Sequence, residues 1–162
     1  MVEDWLIHNA PGYDELSEEE KRAIRDFSLL WSLFEAQVLN NSASANSIRA
    51  KVIDWDSRGL LKKDDFEKFK EYFTQRYVDN KNLNFRFQHL HLRNNDNPAL
   101  VEKVLKDETD MISEIATGLL IIVLRYRNNS FHGFKWAYGF KEQFDNFRIA
   151  SELLICALEI NG

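Results

Sequence analysis

Ile112-Ser113-Glu114-Ile115-Ala116-Thr117-Gly118-Leu119-Leu120-Ile121-Ile122-Val123-Leu124 is the most apolar run of the chain. Ile112, Ile115, Leu119 and Ile122 recur at three and four residues, the spacing of one helical face. Leu120, Ile121, Val123 and Leu124 fill the other sides towards the end of the run. A helix apolar all round has to be covered on more than one face, so this one is either the centre of a bundle or an element shared with a second subunit. The run is 13 residues long and is interrupted by Ser113, Glu114 and Thr117. That is short of the roughly 20 apolar residues needed to span a bilayer.

Upstream, Asn97-Pro98 reads as a helix start with proline at the first helical position, which predicts one long helix over about 98–126. Further towards the N-terminus, Ser17 followed by Glu20 makes a capping box. Behind it Ile24, Phe27, Leu30, Trp31, Phe34 and Val38 form a stripe, predicting a helix over about 18–40. Ile48, Val52 and Trp55 mark another over about 46–57, closed by Gly59 as its left-handed residue. Phe66, Phe69, Phe73 and Tyr77 mark a third, to about 78, with Asp64 or Asp65 as its cap. Residues 79–97 are rich in Asn and poorly periodic, a connector. Downstream, Phe144, Phe147, Ser151, Leu154 and Leu158 predict a closing helix over about 141–160. The expected fold is all-α, a single domain over residues 1–162 built as a bundle of about five helices.

Composition agrees with this class. The chain has 162 residues, 44% of them hydrophobic, with six glycines and two prolines, too few for a turn-dense all-β fold. The single cysteine, Cys156, excludes an intramolecular disulfide and a cysteine-cluster zinc site. The formal charge of -5 excludes a generic basic nucleic-acid coat. That charge is uneven. Residues 1–35 carry nine acids against three basic residues, whereas residues 125–148 have a net charge of +3. Residues 1–20 hold seven acids and no basic stretch, so they do not read as a signal peptide. A cytoplasmic protein that does not cross a membrane is expected.

Between the two apolar helices lies Arg125-Tyr126-Arg127-Asn128-Asn129-Ser130-Phe131-His132-Gly133-Phe134-Lys135-Trp136. An imidazole exchanges protons near neutral pH, and a guanidinium offers a planar fork of donors to phosphate oxygens. His132 and Arg127 are therefore the minimum set for cleaving a phosphodiester without a metal: the histidine moves protons on and off the ribose oxygens, and the arginine holds the charge that builds on phosphorus. In a continuous helix, residues five apart are turned by roughly 140° and displaced by about 7.5 Å. Either the backbone breaks at Asn128–Ser130, or copies of the chain converge. His89-Leu90-His91 lacks a third ligand at metal-binding distance and reads as part of the solvated connector. No Walker A loop, dinucleotide fingerprint, nucleophile elbow or HExxH occurs.

At this segment the sequence resembles the HEPN superfamily, whose hallmark is Arg, four to six residues, then His, often with Asn directly after the Arg. Arg127-Asn128-Asn129-Ser130-Phe131-His132 has that form. The continuation Gly133-Phe134-Lys135-Trp136 is similar to the Apea-type branch. With the flanking helices, the resemblance extends over about 98–160. It implies a helical bundle that forms a homodimer through the motif-bearing helices, and a metal-independent endoribonuclease of toxin or antiviral-defence type, needing no cofactor. It carries Arg127 and His132 over as the catalytic pair, with RNA as substrate. Asn128, Arg125 and Lys135 stand as substrate-binding residues, and an antitoxin or regulatory protein as a further partner. Phe134 stands where many toxin members have Tyr. With the acidic overall balance, it keeps a second reading open: a non-catalytic module of the same fold that binds RNA, a nucleotide or a protein.

Overall fold

The computed structural model of the chain describes residues 1–131 and 143–162. Among these lie eight α-helices, a single-turn 3₁₀ helix and a two-stranded hairpin. The all-α expectation therefore holds, with more and shorter elements than the five expected.

The helix α1 (Val2–Asn9) buries none of its residues and is tied down by Lys21, whose Nζ donates to Glu3 at 3.0 Å and to Glu18 at 3.1 Å. Its lack of a buried stripe is why the sequence pattern does not reveal it. The next helix, α2 (Glu18–Gln37), starts at the expected capping box: the Glu20 amide donates to Ser17 Oγ at 3.2 Å, and the Ser17 amide to Glu20 Oε2 at 2.8 Å. Phe27, Trp31 and Phe34 are buried on its inner stripe. Then come α3 (Ala45–Ser57), with Ile48, Val52 and Trp55 buried, and α4 (Lys63–Tyr77), with Phe66, Phe69, Phe73 and Tyr77 buried. Asp64 and Asp65 do not cap α4. They stand inside its first turn, where their charge complements the helix dipole, and Lys62 holds the cap position.

The connector is more ordered than its pattern suggests. Strands β1 (Val78–Asp79) and β2 (Asn82–Leu83) pair antiparallel across Asn80 and Lys81, both at positive φ, as a tight hairpin turn requires. Short α5 (Phe85–Gln88) and the 3₁₀ turn Asn94–Asp96 follow.

The helix expected over 98–126 is two helices, α6 (Pro98–Leu105) and α7 (Ile112–Phe131). Asp107 adopts a left-handed φ of 59°, which an unbroken helix does not allow. The reversal lays α6 back on α7, so closely that a Cβ built on Gly118 would lie 2.8 Å from Val104 Cγ2. Residues 115–126 of α7 are all buried, with α3, α4, α6 and α8 (Phe144–Asn161) packed around it. The apolar run is thus the centre of a bundle formed within one chain. On the outside, α2 runs along α8, with the Phe27 and Phe147 rings 5.1 Å apart. No helix among the described residues is long and apolar enough to cross a membrane.

Candidate functional site

The motif occupies the last turns of α7, and the helix does not break there: it runs through Asn128, Asn129 and Ser130 to Phe131. Asn and Ser are weak helix formers because their side chains compete for backbone hydrogen bonds. Here those side chains are otherwise engaged. Asn129 is 1% exposed; its Nδ2 donates to the His89 carbonyl at 3.2 Å and the Leu90 carbonyl at 3.1 Å, and its Oδ1 accepts from Arg125 Nη2 at 3.2 Å. Ser130 Oγ donates back to the Tyr126 carbonyl at 2.7 Å. Tertiary hydrogen bonds to the connector outweigh the local preference, so of the two routes a backbone break at Asn128–Ser130 does not occur.

Arg125 is likewise not an exposed phosphate reader. It is 2% exposed. Its Nη1 lies 3.3 Å from Asp96 Oδ2, its Nε donates to the Leu90 carbonyl at 3.1 Å, and Nη2 meets Asn129. Asp96 also accepts from the Arg93 amide at 2.8 Å. Burial lowers the Arg125 pKa from its usual value, and the Asp96 carboxylate opposes that shift. Arg125 and Asn129, one turn apart, form a clamp that holds residues 89–96 against the centre of the bundle. This corrects its reading as a substrate contact: the guanidinium is used up inside the protein.

Arg127, two residues further on, is rotated roughly 200° from Arg125 about the helix axis. It is half-buried, as is Asn128, and its Nη1 donates to Asn128 Oδ1 at 3.1 Å. The structure thus brings Arg127 and Asn128 together and sets Arg125 apart from them. His132 and Lys135 lie outside the described residues.

A polar cluster that the sequence pattern does not announce sits where the ends of α4 and α7 meet the start of α8. The Tyr77 and Tyr126 hydroxyls, both buried, share a hydrogen bond of 2.5 Å. Burial pushes the Tyr77 pKa up to about 12 and that of Tyr126 well above its usual value. Tyr72 Oη donates to Asn146 Oδ1 at 2.7 Å, and Asn146 Nδ2 donates to Gln143 Oε1 at 2.7 Å. Arg76 lies among these tyrosines, its Cζ 5.9 Å from the Tyr77 ring centroid. The available signal was the spacing of four between Tyr72 and Arg76, on a helix whose other stripe is wholly aromatic.

Elsewhere, a groove of about 690 Å³ between α2 and α8 is lined by Leu29, Leu30, Phe144 and Ile155 among others. Among the described residues no three His, Cys, Asp or Glu side chains gather as metal ligands. Cys156 is half-buried, and burial raises its thiol pKa to about 11. Comparisons with family models, with curated proteins and with solved structures find no match to this chain.

Proposed function

We propose that the protein is a metal-independent endoribonuclease of toxin or defence type that acts as a homodimer, with Arg127 and His132 as its catalytic pair. The observation that carries this reading is the half-buried Arg127–Asn128 pair at the end of a rigid, fully packed helix, five residues before His132 in the sequence. α7 is helical through Phe131, so the chain does not double back within that stretch. Four residues of helix advance about 6 Å along the axis. Of the two routes that bring an arginine and a histidine to one phosphate, this favours convergence of two copies. Since the rest of α7 is covered by its own chain, a second copy meets it at the Arg127 end.

In the proposed reaction an imidazole takes the proton of a ribose 2′-hydroxyl, and the 2′-oxygen attacks the adjacent phosphorus. The bond from phosphorus to the 5′-oxygen breaks, and the imidazolium gives its proton to that oxygen as it leaves. The products are a 2′,3′-cyclic phosphate and a 5′-hydroxyl. Arg127 donates to the non-bridging oxygens as charge builds on them, with Asn128 orienting its fork.

Purified protein should cleave RNA in EDTA. Arg127→Ala and His132→Ala should each lose at least about 100-fold in rate, the scale of one general acid–base or oxyanion contact, with their circular dichroism spectra unchanged. Undiminished cleavage by both variants would remove the catalytic assignment. RNA binding by wild type without any cleavage would instead identify a non-catalytic module of the same fold.

A further inference from the structure

We infer that Arg76 is a second phosphate-binding position, taking a backbone phosphate of single-stranded RNA at the end of the bundle that carries Arg127. The inference rests on the ribonuclease reading in that it names where another phosphate of the same substrate is held.

Its basis is a half-buried arginine that has no carboxylate partner among the described residues; the tyrosines around it raise its pKa against the effect of burial. The Arg76 side chain is half-buried, and its Nε is shut off from solvent with no hydrogen-bond partner. A buried N–H without an acceptor is costly, and native proteins rarely leave one. Three described arginines are matched by carboxylates: Arg58 by Asp54, Arg125 by Asp96 and Arg148 by Glu152. Among the described residues Arg76 has no such ion pair, and the charged or titratable groups acting on it are the hydroxyls of Tyr72, Tyr77 and Tyr126.

A cation in the last turn of a helix ordinarily serves the exposed carbonyls there. In α4 that work is done by Asn84, whose Nδ2 donates to the Arg76 carbonyl at 2.8 Å and whose amide donates to the Tyr77 carbonyl at 2.8 Å. Arg76 is therefore released from capping.

Its orientation is prepared as well. Tyr72 is one turn before Arg76 on α4, and its hydroxyl proton is committed to Asn146, itself 2% exposed and anchored to Gln143. The Tyr72 oxygen keeps its lone pairs, and the Arg76 charge opposes the rise in the Tyr72 pKa that burial causes. On another side, Arg76 Cζ lies 5.9 Å from the Tyr77 ring centroid, a cation–π contact. A planar cation with no carboxylate partner among the described residues, partly open to solvent, suits a tetrahedral oxyanion. Tyr77 meets Tyr126, the residue before Arg127, so the two cations stand on neighbouring helix ends.

The test uses a short fluorescent 2′-O-methyl RNA, which binds but cannot be cleaved, titrated with the full chain over a range of salt. Losing one phosphate contact should lower affinity about tenfold at low salt and make the slope of log K against log salt shallower by about 0.7. Arg76→Gln should show both changes. Arg76→Lys should keep the slope and lose affinity, because it retains the charge but not the fork. An unchanged slope in a folded Arg76→Gln variant, or wild-type affinity in Arg76→Lys, would overturn the inference. Wild type that cleaves RNA while Arg76→Gln binds like wild type would overturn this site alone. Wild type that binds without cleaving, with the shallower slope in Arg76→Gln, would support this site and overturn the catalytic reading alone. No binding of RNA by wild type would overturn both.

Discussion

Arg125 and Arg127 stand two residues apart in the last turns of α7 and face nearly opposite ways. Arg125 points into the protein, where Asp96, the Leu90 carbonyl and Asn129 take up its guanidinium. Arg127 is half-buried, and its Nη1 donates to the amide oxygen of Asn128 beside it. A carboxylate partner makes an arginine structural, since the pair is then self-sufficient and closed to a ligand. Arg76 has no carboxylate partner among the described residues, and tyrosine side chains surround it instead. Burial against Asp96 thus sets Arg125, which holds the connector, apart from Arg127 two residues on.

That contrast can be broken first on the structural side. Arg125→Ala leaves Asp96 as a buried, unmatched carboxylate, and should cost about 3–5 kcal/mol of stability, read by denaturant unfolding. A loss near zero would mean that the clamp does not hold the connector. Asn129→Ala leaves the His89 and Leu90 carbonyls without its amide, and should cost about 1–3 kcal/mol. In a double-mutant cycle, Arg125→Ala and Asn129→Ala should be non-additive, because they share the Leu90 carbonyl.

Smaller effects sharpen it. Tyr77→Phe should cost about 1 kcal/mol through the lost hydroxyl bond. It should also flatten the alkaline limb of stability. Burial raises the folded-state pKa of Tyr77 to about 12, above the unfolded value near 10. Its contribution is therefore complete below pH 10 and declines as pH rises through about 12. Thermal unfolding between pH 8 and 11 would show the difference between wild type and variant. Arg127→Ala should change stability by no more than about 0.5 kcal/mol, as for a site outside the core network, while abolishing RNA cleavage. A loss as large as that of Arg125→Ala would place Arg127 in the structural class.

Much of the architecture is legible in the sequence because burial writes it there. The stripes of α2, α3 and α4 and the all-round apolar character of α7 follow from helical periodicity and from what must be covered. The elements that escaped are those whose reasons are not periodic. Buried stripes cannot announce α1, which has none, and the hairpin at 78–83 rests on positive φ at Asn80 and Lys81. The division of 98–126 turns on the single left-handed residue Asp107. At the motif, residue types marked the chemistry but not the partners. Asn129 reads locally as a helix breaker and Arg125 as an exposed cation; both are instead fixed by residues 89–96, some 30 to 40 positions earlier in the chain. Contacts of that sequence separation leave no trace in a local pattern. Arg76 escaped for the same reason, since Tyr126 of α7, 50 positions on, is among its neighbours.

The central claim is that catalysis needs Arg127 from one copy and His132 from another. The most direct measurement mixes the inactive Arg127→Ala and His132→Ala proteins, allows subunits to exchange, and assays RNA cleavage in EDTA. Random exchange of two-fold dimers should restore about a quarter of wild-type activity, because half the dimers are mixed and each carries one intact site. A mixture that stays inactive while the subunits demonstrably exchange would contradict the composite site.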